Sequence, residues 1–293
     1  MASVRAIVLT LRPHQWVKNL FVAAPLVFAK HLEDSAYLWR AAIAVAAFCA
    51  LSGAVYAFND VLDVEADRQH PRKRFRPIAA GQLGERSAIV LAVILAVAAL
   101  GACLALSWQT AAWAAAYTVM NLAYSLKLKH VAFIDVLLIS SGFMARVGAG
   151  GAAIAVAPSR WLLVCTGLLA TYLALGKRAH ELSLASREGR EAASTRAALA
   201  GYRLSWVRVG MGVLGAATVA AYVLYTVDEH TREFFGTREL PWSAPFCAFG
   251  IARFAWLALI KPGSDSPTDA MLRDPSFLLN LAAWAVVILV IVY

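Results

Sequence analysis

Long apolar runs separated by short polar segments make up most of the chain. An α-helix needs roughly 20 apolar residues to cross a bilayer, and runs that deviate from this length adapt by tilting or local thinning. The pattern therefore predicts nine transmembrane helices, at about 16–30, 39–58, 86–106, 108–125, 132–151, 160–176, 207–226, 242–260 and 276–293. We expect an all-α membrane protein in which residues 1–293 form a single transmembrane domain.

The segment 1–20 carries Arg5, Arg12 and Lys18 among apolar positions and contains Pro13. It has no small-residue cleavage site, so a removable signal peptide is not indicated. The mixture of cations and apolar residues predicts an amphipathic segment that lies in the membrane interface.

Cations are distributed unevenly between the predicted loops. If residue 1 is cytoplasmic, 20 of the 27 Lys and Arg residues lie on the cytoplasmic side and five on the other side. An excess of Lys and Arg marks cytoplasmic loops. We therefore expect a cytoplasmic N-terminus, a periplasmic C-terminus, and cytoplasmic loops at 59–86, 126–131, 177–206 and 261–275.

Composition excludes several classes of protein. The chain is 61% hydrophobic and 15% charged, whereas ordinary soluble domains carry about 25% charged residues. Membrane orientation explains the net charge of +9 better than nucleic-acid binding does, because the cations lie in short loops between apolar runs. The four cysteines lie within apolar runs without metal-ligand or disulfide spacing.

The stretch 59–67, Asn-Asp-Val-Leu-Asp-Val-Glu-Ala-Asp, follows the second apolar run. On a helix, four of its polar side chains project from one face while Glu65 points elsewhere. Carboxylate oxygens are hard ligands suited to Mg²⁺, which is often completed by substrate phosphates. A solvated helix cap is the alternative, but it suits a lone Asp better than this set: Asn59, Asp60, Asp63 and Asp67.

Basic residues follow at once in His70-Pro71-Arg72-Lys73-Arg74-Phe75-Arg76-Pro77. Guanidinium and ammonium groups bind phosphate through charge-assisted hydrogen bonds. An acidic cluster beside a basic one at a membrane surface indicates a diphosphate substrate, with Arg72, Lys73 and Arg76 as candidates for its phosphate groups.

Three further regions hold candidate residues. Lys18 lies in the donor-rich segment 12–19, for which simple headgroup contact is an equal alternative. Arg146 lies inside a predicted span, where an ionisable group usually lines a cavity or pairs with a carboxylate. The remaining candidates lie at the cytoplasmic ends of spans: Tyr124, Lys129, Asp135, Lys177, Arg178 and Glu181.

The chain resembles the UbiA superfamily of intramembrane prenyltransferases in three features. These are the nine predicted spans, the motif Asn-Asp-x-x-Asp-x-x-x-Asp at 59–67, and the segment 70–81, which ends in Arg76-Pro77-Ile78-Ala79-Ala80-Gly81. Segments 12–19 and 124–129 are most similar to its bacterial branch that moves phosphoribose to a polyprenyl phosphate, at the start of the pathway to the arabinose donor for cell-wall arabinan.

The resemblance implies a UbiA-like helical bundle in the bacterial plasma membrane, with an active-site mouth on the cytoplasmic side. It also implies Mg²⁺ as cofactor, phosphoribosyl diphosphate as donor and decaprenyl phosphate as acceptor. Catalysis and metal binding would fall to Asp60, Asp63 and Asp67, with Asn59 as a further ligand. The other candidates would bind substrates, and the oligomeric state stays open, a homo-oligomer included.

One departure from the family bears on the substrate. Family members that use a prenyl diphosphate resemble each other in a second Asp-x-x-x-Asp motif after the sixth span. This chain has Lys177-Arg178-Ala179-His180-Glu181 there. Two cations and one Glu suit a lipid phosphate better than a second bound metal.

Two other functions compete. A prenyltransferase that joins a polyprenyl diphosphate to an aromatic acceptor has the same fold, but the missing second acidic motif argues against it. A transporter is expected to place ionisable groups near the membrane midplane. Here Arg146 and Arg253 lie deep within predicted spans, whereas the other candidate ionisable groups collect at one membrane surface.

Overall fold

The computed structural model describes residues 3–187, 197–260 and 266–293. Within these ranges every regular element is a helix and no strand occurs. The predicted loops 177–206 and 261–275 are therefore described only in part, because residues 188–196 and 261–265 lie outside the described residues.

The longer helices are, in chain order, α1 Val4–Leu11, α2 Ser35–Leu62, α3 Glu85–Leu106, α4 Trp108–Leu126, α5 Ile134–Ala153, α6 Arg160–Arg187, α7 Leu204–Val227, α8 Ala244–Ala255 and α9 Pro275–Val292. Short α-helices lie at Ala24–Phe28, Val64–Gln69, Glu229–Phe235 and Pro267–Met271. Segments of 3₁₀-helix lie at Pro13–Val22, Lys73–Phe75, Leu128–His130, Ala197–Gly201 and Leu240–Ser243, and a π-helical segment, Trp256–Ile260, follows α8.

Seven helical stretches in the described part of the chain are long and apolar enough to cross a membrane. They comprise α2, α3, α5, α6, α7, the stretch Leu240–Ile260 that contains α8, and α9. The run 108–125 forms α4, a helix of 19 residues that is not among the seven. An integral membrane protein is thus confirmed, while the count of nine spans stays a prediction.

The predicted span 16–30 is not a continuous α-helix. The 3₁₀-helix Pro13–Val22 is followed by the short helix Ala24–Phe28, and each begins with a proline within its first two positions. Proline lacks a backbone donor and fits the first turn of a helix but not its interior. Pro25 therefore divides this run.

The chain forms two compact units. The first unit comprises Met1–Leu128 and Gly142–Pro158, and the second comprises Lys129–Ser141 and Ser159–Tyr293. The prediction of a single domain is not tested by this division, and each unit is described by itself below.

The core of the first unit joins α2, α4 and α5 through Phe48, Tyr117 and Ala149. Gly150 allows the 3₁₀-helix Pro13–Val22 to approach α5 closely, because a Cβ atom at this position would lie 1.9 Å from the carbonyl oxygen of Val22. Small residues at membrane helix interfaces permit such close backbone contact. The helices of this unit are thus held against an N-terminal segment that is not a continuous α-helix.

The core of the second unit joins α6, α7 and α8 through Tyr172, Met211 and Phe254. A Cβ atom at Gly176 of α6 would lie 2.3 Å from Cε1 of Phe254, so this glycine also permits a close contact. The buried Tyr172 hydroxyl donates a hydrogen bond to the carbonyl oxygen of Ile251 at 2.7 Å. This bond satisfies a phenol that would otherwise be costly to bury.

Candidate active site

The acidic stretch lies where α2 ends. Asp63 follows the last residue of α2 and separates it from the short helix Val64–Gln69. The expected single helical face over 59–67 is therefore interrupted, and the carboxylates form two groups. Asn59 Nδ2 donates to Asp63 Oδ2 at 3.1 Å, whereas Asp60 and Asp67 meet at a different partner.

That partner is Arg76. Its Nη1 atom lies 3.0 Å from Asp60 Oδ1 and 2.6 Å from Asp67 Oδ2. Both carboxylates are buried, with 2% of each side chain exposed, while 26% of the Arg76 side chain is exposed. Buried carboxylates need a counter-charge because solvation is lost. Arg76 supplies it by bridging the two.

Arg12 provides a second counter-charge, with Nη2 2.5 Å from Asp60 Oδ1. Its guanidinium also lies over the Tyr56 ring, 5.1 Å from the centroid. The backbone of Arg12 is left-handed, with φ 50°, which costs a residue with a Cβ atom about 1–2 kcal/mol. The ion pair and the ring contact offset this cost and hold the end of α1 beside α2.

The other basic residues of the loop remain accessible. Lys73 Nζ lies 4.0 Å from Asp67 Oδ1 at the edge of the cluster. The side chain of Arg72 is exposed, and its backbone N–H donates to His70 Nδ1 at 3.2 Å. Glu65 is exposed and pairs with Arg68, as expected for a carboxylate that points away from the cluster.

The donor set fits a divalent cation in its chemistry. Carboxylate and amide oxygens are hard ligands that Mg²⁺ accepts. Among the described residues no group of three or more His, Cys, Asp or Glu is arranged to hold a metal ion. Arg76 Nη1 instead lies between the Asp60 and Asp67 carboxylates, so a positively charged group is already present where a cation would bind.

Arg146 lies in the interior of the first unit and is buried. It donates to Asn19 Oδ1 at 2.8 Å, to Tyr117 Oη at 2.9 Å and to the carbonyl oxygen of Gly142 at 3.0 Å. The rings of Tyr117 and Phe143 lie 4.7 and 5.4 Å from its guanidinium carbon. Its hydrogen-bond partners are uncharged rather than the expected carboxylate, and they tie the segment Pro13–Val22 to α5. A functional role of Arg146 stays a prediction.

Lys18 lies on the same N-terminal segment as Asn19. Its Nζ atom donates to Gln15 Oε1 at 2.5 Å, and the side chain is half-buried. Tyr124, near the end of α4 in the same unit, is half-buried as well.

A second ionic group lies in the second unit. Arg178 Nε lies 3.1 Å from Asp135 Oδ2, and both side chains are fully buried. The Nη1 atom of Arg178 bonds to Glu181, whose side chain is 22% exposed. Arg178 Nη2 is buried and has no hydrogen-bond acceptor among the described residues. Of the three charged side chains, only Glu181 reaches the surface.

Tyr202 completes this second group. Its hydroxyl donates to Asp135 Oδ1 at 2.7 Å and accepts from the backbone N–H of Phe133 at 2.7 Å. Burial raises the pKa of the Tyr202 phenol, and the hydrogen bond to the Asp135 carboxylate raises it further. The phenol therefore stays protonated and remains a donor.

Lys177 and Lys129 are half-buried in the second unit. Sequence reasoning did not single out Tyr117 and Tyr202, because each is one aromatic residue in an apolar chain. Asn19 and Arg12 carried a weak signal, the density of polar donors in the segment 12–19.

The structure thus defines an all-helical membrane protein in which carboxylate and guanidinium groups gather where α2 ends. The match to a family model defines the class further: residues 19–196 match the UbiA prenyltransferase family, and the chain belongs to that family.

Curated relatives cover almost the whole chain. The decaprenyl-phosphate phosphoribosyltransferase of Mycobacterium tuberculosis is 34% identical over 287 residues, which cover 96% of this chain and 92% of the relative. The protein of the same name from Corynebacterium glutamicum is 36% identical over 290 residues, covering 97% and 85%.

A solved structure supports the fold. The UbiA homologue from Archaeoglobus fulgidus bound to DMAPP and Mg²⁺ superimposes with a TM-score of 0.73 and covers 98% of each chain. Its sequence identity is 14%, so this similarity concerns the fold alone.

Proposed function

We propose that this protein is a Mg²⁺-dependent membrane glycosyltransferase. It transfers 5-phosphoribose from phosphoribosyl diphosphate to decaprenyl phosphate or another polyprenyl phosphate. Relatives named decaprenyl-phosphate phosphoribosyltransferase support this reaction, because the similarity extends over most of the chain. The structural observation that carries the proposal is the position of Arg76, a cation between Asp60 and Asp67 in a loop that also presents Lys73 and Arg72.

Asp60, Asp63 and Asp67, with Asn59, would hold the metal. When bound, Mg²⁺ neutralises the negative charge that develops on the departing diphosphate. Arg76 would exchange its two carboxylates for phosphate oxygens of the donor, for which its planar guanidinium group is suited. Lys73 and Arg72 bind the same donor from the exposed side of the loop.

In the reaction the bond between C1 of ribose and the diphosphate oxygen breaks, and the electron pair leaves with diphosphate. An oxygen of the acceptor phosphate forms the new bond to C1 from the opposite face, with inversion. The transition state has oxocarbenium character, as in other glycosyl transfers. A phosphate monoester is already anionic near neutral pH, so the chain needs no strong general base.

The acceptor phosphate is assigned to the cationic residues of the second unit. Lys177 is our choice for the phosphate contact, with Lys129 as a second cation. Arg178 is fully buried and acts as a positioning residue that orients Glu181, and Asp135 holds it in place. Arg178 Nη2 is a buried donor without an acceptor among the described residues, which is energetically costly. This observation supports the binding of a polar ligand near Arg178.

The first unit contributes further positioning groups. Lys18 and Tyr124 are proposed to orient the donor, and Arg146 fixes the N-terminal segment through Asn19. The asymmetry of loop charges supports access from the cytoplasm, where phosphorylated sugars are made.

One assay tests the function. Purified protein in detergent receives Mg²⁺, labelled phosphoribosyl diphosphate and decaprenyl phosphate, and the labelled lipid product is measured. We expect product that disappears in excess EDTA. Prenylation of 4-hydroxybenzoate from a polyprenyl diphosphate, with no phosphoribosyl transfer, would reject the proposal and leave the family assignment intact.

A further inference from the structure

The second unit contains a cavity of about 520 Å³ that none of the roles above uses. It lies between the first turns of α5, the middle of α6 and the start of α7. Its lining includes Leu137, Leu175 and Val207, together with Tyr202, Arg203 and Trp206. The volume is within the roughly 300–1,000 Å³ typical of ligand pockets.

The lining defines what chemistry the cavity accepts. Most of the wall is hydrocarbon or aromatic, which suits an apolar chain. Arg203 is exposed and is the one charged side chain among the described residues that line the cavity. An occupant with an apolar chain and one negative charge therefore matches both features.

The position of the cavity along the membrane normal agrees with such an occupant. Arg203 immediately precedes α7, a candidate membrane span, and Trp206 in its first turn is 70% exposed. Arg and Trp side chains at the end of a span are typical of the membrane interface, where lipid phosphates lie. From Arg203 the wall continues to Gly210, about 10 Å into the span at the helical rise per residue.

We propose that this cavity binds one anionic glycerophospholipid of the bilayer. Its acyl chain lies against Leu137, Leu175 and Val207, and its phosphodiester pairs with Arg203. A phosphodiester carries one negative charge, which one guanidinium group balances, whereas a phosphate monoester such as the proposed acceptor carries nearly two at neutral pH.

The bound lipid also contacts Tyr202, whose hydroxyl donates to Asp135 in the buried ionic group. A lipid chain in the cavity thus steadies the residue that orients Asp135 and, through it, Arg178. The lipid-binding site itself does not depend on the proposed function, and only its effect on the acceptor site rests on it.

The experiment counts bound lipid by native mass spectrometry. Purified protein in detergent is titrated with phosphatidylglycerol and, separately, with phosphatidylcholine of the same acyl chains, without donor or acceptor. The unfolding temperature is followed in the same titrations. Arg203→Gln removes the charge, and Leu137→Trp fills the cavity from a side chain that is 60% exposed and therefore tolerant of substitution.

Two matched controls lie on α7 outside the cavity. Arg208→Gln removes an exposed cation, and Val209→Trp enlarges a side chain that is 60% exposed. We expect the wild type and both controls to bind one phosphatidylglycerol, about tenfold more tightly than phosphatidylcholine, and to unfold at a higher temperature with it. Arg203→Gln loses the preference, and Leu137→Trp loses binding of both lipids.

Three outcomes would overturn the proposal: an unchanged preference in Arg203→Gln, unchanged binding in Leu137→Trp, or displacement of phosphatidylglycerol from the wild type by an equimolar amount of decaprenyl phosphate. The last would assign the cavity to the acceptor instead. Since no turnover is measured, a failure of the proposed enzymatic function leaves these results unaffected.

Discussion

Arg76 holds two buried carboxylates together and yet belongs to the loop that we assign to the phosphates of the donor. Nη1 of Arg76 contacts both carboxylates, so a divalent cation held by Asp60 and Asp67 would have to displace this atom. The displaced guanidinium would gain phosphate oxygens of the donor as new partners. We expect the binding of Mg²⁺ and of the donor to be strongly cooperative.

Replacing Arg76 with Gln tests this exchange without substrate. Loss of one partner of a buried ion pair costs about 3–5 kcal/mol, and somewhat less here because Arg76 is partly exposed. We expect a lower unfolding temperature without metal and a larger stabilisation by Mn²⁺ than in the wild type. The control Arg68→Gln removes only exposed pairs and should change the stability by less than about 1 kcal/mol. A variant that is as stable as the wild type and insensitive to metal would contradict the exchange.

Asp63 offers the cleanest test of metal binding, because its carboxylate accepts from Asn59, while Arg76 bridges Asp60 and Asp67. Asp63→Asn keeps the shape of the side chain and removes the charge, so we expect at least about a hundredfold loss of phosphoribosyl transfer, or roughly 3 kcal/mol. The unfolding temperature should stay within a few degrees. Glu65→Gln, which removes an exposed carboxylate two positions further on, serves as the control and should retain activity. Full activity of Asp63→Asn over a range of Mg²⁺ concentrations would disprove the assignment.

The N-terminal 3₁₀-helix is held in place by contacts with residues that are distant in the sequence. The 3₁₀-helix Pro13–Val22 is ten residues long, although such helices rarely exceed three or four residues in the absence of external support. Its support comes from Asn19, which accepts from Arg146 and donates to Ser52, and from the close contact of Val22 with Gly150. We infer that these contacts hold Arg12, at the start of the same segment, beside Asp60.

Gly150→Ala tests that support. The added methyl group would lie 1.9 Å from the Val22 carbonyl oxygen, and backbone atoms cannot move aside without shifting the segment. We expect a destabilisation of about 3 kcal/mol, the upper end for overpacking, and a loss of activity because Arg12 moves with the segment.

Gly101→Ala is the matched control, since a Cβ atom on α3 at this position meets nothing within 4 Å. Its unfolding temperature should equal that of the wild type or rise slightly, because Ala favours helices more than Gly. Thermal unfolding of both variants in the same detergent makes the comparison, and equal stability of the two would refute the packing argument.

The orientation in the membrane is a prediction from the distribution of cations, and it has a direct test. We expect a cysteine introduced by Arg74→Cys, in the exposed loop after α2, to react with an impermeant thiol reagent only from the cytoplasmic side. Glu233→Cys, in the exposed helix after α7, should react only from the periplasmic side. Labelling of Arg74→Cys by the impermeant reagent in intact cells would contradict the predicted topology. It would also contradict the access of a cytosolic sugar phosphate to this loop.

The helical, membrane-embedded character of the chain could be predicted from the sequence, because span length and hydropathy are local properties of each run. The same holds for the acidic and basic motifs, since they consist of neighbouring residues. Local patterns were less reliable for the run 16–30, where Pro25 divides the predicted helix and side chains distant in sequence hold the segment in place. They also predicted a single helical face over 59–67, which the end of α2 at Leu62 interrupts.

Only the tertiary structure decided which charges meet. Arg12 lies 48 positions before Asp60 in the sequence, and Arg146 lies 127 positions after Asn19. Helical periodicity relates residues three or four positions apart and carries no information about such pairs. For the same reason the sequence determined that Arg178 is a cation near the end of a span, while the tertiary structure decided that it is buried against Asp135 and bonded to Glu181.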